Sequence, residues 1–87
     1  RLFMRSSKIF RICKVLNEYD PADLFVATHL EDVYSEEAIM IYDFYNMNKD
    51  CTVENLYDSI QLIFIRRYGL LVSASTCMAI ATDIISC

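Results

Sequence analysis

The sequence predicts an all-α domain, an antiparallel bundle of five or six short helices around one core. Three observations predict it. The 87 residues hold one glycine and one proline, too few for the many tight turns of a sandwich or barrel. Ser7, Asp20, Ser35 and Thr52, all good helix caps, each precede a run of periodic apolar residues. Within those runs the apolar positions recur three and four apart, the period of a helix. At this length residues 1–87 make a single domain. Its core is well supplied: 55% of the residues are hydrophobic, with six tyrosines and five phenylalanines among them. Some of that apolar surface is left over for a partner. The chain opens on Arg1 rather than Met, as a piece of a longer protein would.

The first helix starts after a cap at Ser6 or Ser7 and runs to about Tyr19. Ile9, Ile12, Cys13, Leu16 and Tyr19 form its inner stripe, and Phe10 falls outside it. Asp-Pro-Ala-Asp at 20–23 starts the second. Asp20 caps, Pro21 fits the first helical position, and Asp23 lies near the positive end of the helix dipole. This helix is expected to end between His29 and Asp32, with Leu24, Ala27 and Leu30 inward. Ser35-Glu36-Glu37 opens the next, which reaches about Met47 with apolar residues almost all round, as for a central or partner-covered helix. Thr52 caps the best-defined helix, with Glu54 in its first turn, Cys51 placed to staple against Leu56, and Leu56, Ile60, Ile63 and Phe64 as its stripe. Arg66 and Arg67 close it at the negative dipole end, and Gly69 suits the left-handed position just past it. A last helix starts at or after Leu70 and runs to about Ser86.

The net charge of −4 conceals a segregation. Arg1, Arg5, Lys8, Arg11 and Lys14 all precede the first acid, Glu18; beyond it the cations are Lys49, Arg66 and Arg67. An acidic body argues against a nucleic-acid partner. A basic end on an acidic body suits head-to-tail contact between copies or relatives. The first helix offers Lys8, Arg11 and Lys14, and the later helices offer Asp20, Asp23, Glu54 and Asp58. Cys13, Cys51, Cys77 and Cys87 lack metal-ligand spacing; three sit among apolar residues, which points to reduced thiols in a cytoplasmic protein. No apolar signal segment follows the basic start, and Leu70 to Cys87 is short for a membrane span, so no span is expected. No cofactor is expected: the lone His29 has no nucleophile near it in sequence, one glycine cannot cradle a phosphate, and the neighbouring acids Glu31-Asp32 and Glu36-Glu37 read as solvated caps. These features argue against an enzyme.

Three stretches resemble a known family. "NEYDPADL" at 17–24, "TVENLYDSIQLIF" at 52–64 and "RYGLL" at 67–71 follow the order of the death effector domain, a six-helix member of the death-fold superfamily. The likeness spans about residues 9 to 75. It implies a bundle of the death-fold type, and here the third helix is short or absent because few residues separate the second helix from Ser35. It also implies homotypic binding to death effector domains of adaptors or initiator caspases, in apoptosis or innate immune signalling. The family's Arg-x-Asp-Leu-Leu ending has Gly69 in place of its Asp. Of the family's surface charge triad, that leaves Asp23 facing Arg67. The Phe-Leu pair that the family docks into partners aligns with His29 and Leu30, so the aromatic is missing. The interaction residues expected are therefore Lys8, Phe10, Arg11, Lys14, Asp23, His29, Leu30, Glu54, Asp58 and Arg67. Other readings of the same sequence are a viral decoy of such assemblies, a groove-binder of the Bcl-2 type, and a membrane-attached helical protein.

Overall fold

A computed structural model describes residues 7–86 of the chain. Among the described residues the regular elements are all helical: α1 (Ser7–Tyr19), α2 (Leu24–Thr28), α3 (Ser35–Met47), α4 (Val53–Tyr68) and α5 (Ala74–Ser86). Arg1, Arg5, Ser6 and Cys87, named above, lie outside them.

The core follows from the stripes. Ile9, Ile12 and Leu16 of α1 meet Ala38 and Ile41 of α3, Leu56, Ile60 and Phe64 of α4, and Cys77, Ile80, Ala81 and Ile84 of α5. Side chains of this size stabilise by roughly 1.5–3 kcal/mol each when fully buried. The packing pairs are α1 with α3 and α5, and α4 with α3 and α5. The four long helices thus form a ring in which α1 and α4 occupy opposite corners. A short connection makes α3 and α4 antiparallel, while α5 starts beside the first half of α4, with Val72 on Gln61 and the Cys77 thiol on Tyr57 O. The sequence-level bundle needs one adjustment at α1. Lys8 Nζ donates to Ile84 O at 2.6 Å and Tyr19 Oη to Asp83 Oδ2 at 2.7 Å. Groups from both ends of α1 thus converge on consecutive residues of α5, so α1 crosses α5 instead of running alongside it. Lys8 also satisfies a carbonyl in the last turn of α5, where a cation is favoured.

The second helix departs most from the sequence reading. It spans only Leu24–Thr28, none of its residues is fully buried, and Ala27 and Leu30 are exposed. Asp20 and Asp23 take positive φ, 47° and 57°, a region Asp tolerates better than most residues. The chain therefore turns twice before the helix can start, and Pro21 lies in the turn rather than at a helical position. The Asp20 carboxylate still caps, but from further back, accepting from Phe25 N at 2.8 Å and Val26 N at 2.9 Å. His29, at φ 58°, ends the helix with its N–H on Phe25 O. Residues 31–34 form a turn, so no further helix separates α2 from α3.

The α4 junctions match their signals, whereas at α3 the cap position is Tyr34, with no side-chain cap bond, and Ser35 is the first helical residue. Thr52 and Asn55 form a reciprocal capping box at the start of α4. Gly69 sits at φ 63° past its end, with its N–H on Ile65 O at 2.8 Å. The last helix begins at Ala74, later than Leu70, because Val72 is held elsewhere. The Gln61 carboxamide donates to Val72 O at 2.6 Å and accepts from Val72 N at 3.1 Å, satisfying both backbone groups of a buried residue.

Tyr34, fully buried, ties the α1–α2 turn to the start of α3. Its hydroxyl donates to Asp20 Oδ1 at 2.7 Å and accepts from Ala22 N at 3.0 Å. Burial pushes the Asp20 carboxyl up, but the Tyr34 hydroxyl and the N–H groups of Phe25, Val26 and Leu24 outweigh it and hold the group below its usual value. Tyr34→Phe removes a hydrogen bond to the Asp20 carboxylate and leaves Ala22 N, like Asp20 half-buried, short of a partner; it is expected to cost about 2 kcal/mol. For a domain of this size that lowers Tm by roughly 8–16 °C; unchanged thermal unfolding would show that the network contributes nothing.

Candidate functional site

The polar cluster with the most internal structure lies where the start of α3 meets the end of α4. Helix dipoles set the charge pattern. Glu36 and Glu37 occupy the first turn of α3, its positive end, and Arg66 and Arg67 the last turn of α4, its negative end. Because α3 and α4 are antiparallel, these ends are adjacent. Arg67 Nε donates to Glu37 Oε2 at 2.6 Å, and its Nη2 donates to Glu36 Oε1. Tyr68 Oη donates to the same Glu37 oxygen at 2.6 Å. Glu37 is 1% exposed, while Glu36 stands in solvent.

Two expectations are corrected here. Arg67 is held by α3 and not by Asp23: among the described residues its ion-pair partners are Glu36 and Glu37, and Asp23 is exposed in the turn before α2. Glu36 and Glu37 are also not a solvated pair. Neighbouring residues on a helix diverge, so one points out and the other in. A signal for this existed: Glu37 shares a face with Tyr34, Ala38 and Ile41, all buried, and that stripe carries it inward. Hydrogen bonding to Glu37 and its charge hold the Arg67 guanidinium above its ordinary range. Burial and then Glu37 push the Tyr68 phenol up to about 12.

The remaining interaction residues do not gather into one patch. Phe10, Arg11 and Lys14 are exposed on α1, with Lys14 Nζ 5.2 Å from the Phe10 ring centroid, a cation–π distance. Lys8 lies half-buried, its Nζ on Ile84 O and 4.9 Å from the Tyr45 ring centroid. His29 and Leu30 are exposed just past α2, where His29 packs edge-on against Phe25. Glu54 and Asp58 are exposed on α4. Asp20 is consumed by its cap and by Tyr34. A groove beside α1 is lined by Phe10, Cys13, Lys14, Asn17, Glu31 and Asp32.

Cys13, Cys51 and Cys77 are free. Burial and then Asp58 push the Cys77 thiol up to about 11, and burial with Asp32 and Glu37 raises that of Cys13; such thiols are poor nucleophiles. Among the described residues no three His, Cys, Asp or Glu side chains gather as a metal would require. No described helix is long and apolar enough to cross a membrane. Compared with protein-family models, curated proteins and solved structures, the chain has no match.

The Tyr68 hydroxyl must stay protonated to donate to Glu37. Its raised value means that the folded state binds this proton more tightly, so its contribution is full below about pH 10, the ordinary tyrosine value. It is lost as pH rises toward about 12. Urea unfolding is expected to show stability falling across that window, with a shallower fall in Tyr68→Phe and a remainder from Tyr34, whose phenol burial and then the bond to Asp20 also push up. Identical slopes in the two proteins would disprove the assignment. Arg67→Met is expected to destabilise more than Glu36→Gln, since only the first leaves the buried Glu37 charge without a cation; denaturation midpoints rank them.

Proposed function

We propose that the chain is a non-enzymatic interaction module of the death effector type, recruiting death effector domains of adaptors or initiator caspases in apoptosis or innate immune signalling. The observation that carries the reading is where its three motif stretches fall. "NEYDPADL" makes the α1–α2 junction with Asp20 as its organising cap. "TVENLYDSIQLIF" starts at the α4 cap and supplies the buried Leu56, Ile60 and Phe64. "RYGLL" ends that helix, with Arg67 bonded across to a second helix. An arginine at this place tied to carboxylates of another helix is in keeping with the family's charge cluster, although here the acids come from α3.

Exposed residues fit binding better than catalysis. His29 and Leu30 stand in solvent beside α2, Phe10 stands out from α1, and the buried thiols have raised pKa values. Buried, unpaired cysteines suit a reducing compartment, and the reading carries a cytoplasmic location with it.

The test is direct capture. The purified protein is expected to bind a purified death effector domain from an adaptor or initiator caspase, and to ignore a death domain and a caspase-recruitment domain used as controls. Leu30→Asp is expected to weaken binding about tenfold without changing helical content. Failure to bind any death effector domain, or equal binding to the controls, would reject the reading.

A further inference from the structure

One stretch of the chain is attached to the bundle by little apolar contact. From Pro21 to Val33 no residue is fully buried, whereas Leu16 before it and Tyr34 after it are at 0% exposure. Its one helix, α2, has five residues and takes no part in the main helix packings, which join α1, α3, α4 and α5. So short a helix is unstable without packing. Ala22, Leu24, Phe25 and Val33 rest against the core only in part, and Val26 and Leu30 stand in solvent. Two polar latches complete the attachment. Tyr34 holds Asp20 and Ala22 at one end, and Asn17 Nδ2 donates to Glu31 O at 2.7 Å near the other.

The closed arrangement also carries costs. Asp20, Asp23 and His29 all take positive φ, where a side chain crowds the backbone. Asp20 does so directly before Pro21, whose ring favours extended backbone in the residue ahead of it. Residues in such conformations persist where neighbours hold them there, and they gather at switches. Asn17 adds a second cost. Its Nδ2 is used on Glu31, but its Oδ1 is buried with no donor in reach among the described residues. An unmet acceptor opposes closure, and lifting the stretch gives it water.

We propose that residues 21–33 form a strap that opens as a unit while the bundle of α1, α3, α4 and α5 stays folded. Opening acts on the groove beside α1. The helix supplies Phe10, Cys13, Lys14 and Asn17 to that groove, and the strap supplies Glu31 and Asp32. One wall therefore stays and the other leaves. Cys13, 3% exposed in the closed state, becomes reachable from solvent. The chain thus has two surfaces at this place, one rimmed by the strap's acids and one with the side of α1 bare. This goes beyond the family reading and holds whichever partner the chain takes.

Thiol labelling tests it, with the neutral reagent N-ethylmaleimide and mass spectrometry to locate the label. Cys13 reports the strap, and Cys77, fully buried in α5, reports unfolding of the bundle. In the wild-type chain Cys13 is expected to react roughly tenfold faster than Cys77 or more, with a weaker acceleration by urea because less surface is exposed. Tyr34→Phe removes a latch, and its expected stability cost corresponds to Cys13 labelling roughly thirtyfold faster. Ile80→Val weakens the core that the closed and open states share, so Cys77 is expected to react several-fold faster and Cys13 at the wild-type rate. Equal acceleration of both thiols in Ile80→Val overturns the proposal, since Cys13 is then reached only when the whole chain unfolds. An unchanged Cys13 rate in Tyr34→Phe overturns it as well, since the thiol is then reached without opening. Hydrogen exchange on the wild-type chain gives an independent reading. The bonded N–H groups of Asp23, Phe25, Val26, His29 and Val33 are expected to share one protection level below that of α1 and α4; protection equal to that of α4 contradicts a separate strap.

Discussion

Glu37 has to keep a charge where almost no water reaches it. The uncompensated burial of a carboxylate costs several kcal/mol, so the fold must bring a cation and a donor to it. Arg67 and Tyr68 do so from the end of α4. They are neighbours in sequence, and both can reach one oxygen of Glu37 only if α4 ends level with the first turn of α3. The interaction therefore fixes how far α4 extends along α3, a quantity that apolar packing alone leaves loose because hydrophobic contact is non-directional. Gly69 completes the arrangement by turning the chain away immediately after Tyr68, in a conformation other residues adopt only with strain.

Local chemistry made most of the helices readable in the sequence. α4 has the limits its cap implies, since Thr52 acts on residues within one turn of itself, and α3 starts where Ser35 predicts, although the cap position falls on Tyr34 and Ser35 is the first helical residue. Gly69 was legible for the same reason. α2 was not, because its start depends on Tyr34, fourteen positions from Asp20, and on two aspartates entering the left-handed region. Proline after a capping residue is a fair helix signal, but here the turn uses it instead. The start of α5 was hidden in a similar way: Gln61 holds Val72 out of the helix from eleven residues away.

The site shows the same division. Exposure of Phe10 followed from the period of α1 alone. The partner of Arg67 did not follow from the motif that drew attention to it. A motif fixes which residue is present, whereas the partner depends on which helix end the fold brings near. Glu36 and Glu37 were visible as first-turn acids, and a helical wheel including Tyr34 separates the inward one from the outward one. The charge segregation was legible as a list of residues. That the acids spread over the α1–α2 turn, α3, α4 and α5 instead of forming one patch is a property of the fold, because a list of residues does not say which carboxylates a cap or an ion pair engages, as at Asp20 and Glu37.

Gln61 stands in for a strand of backbone. Its carboxamide offers Val72 the donor and acceptor that a neighbouring peptide group would, so α5 takes its position from a side chain inside α4 and not from the length of the connection. Gly69, Leu70 and Leu71 are thereby relieved of that duty, and Leu71 projects into solvent at 71% exposure. Among relatives of this chain, the connection should vary in length and composition far more freely than glutamine at 61, which asparagine is too short, and glutamate too poor in donors, to replace.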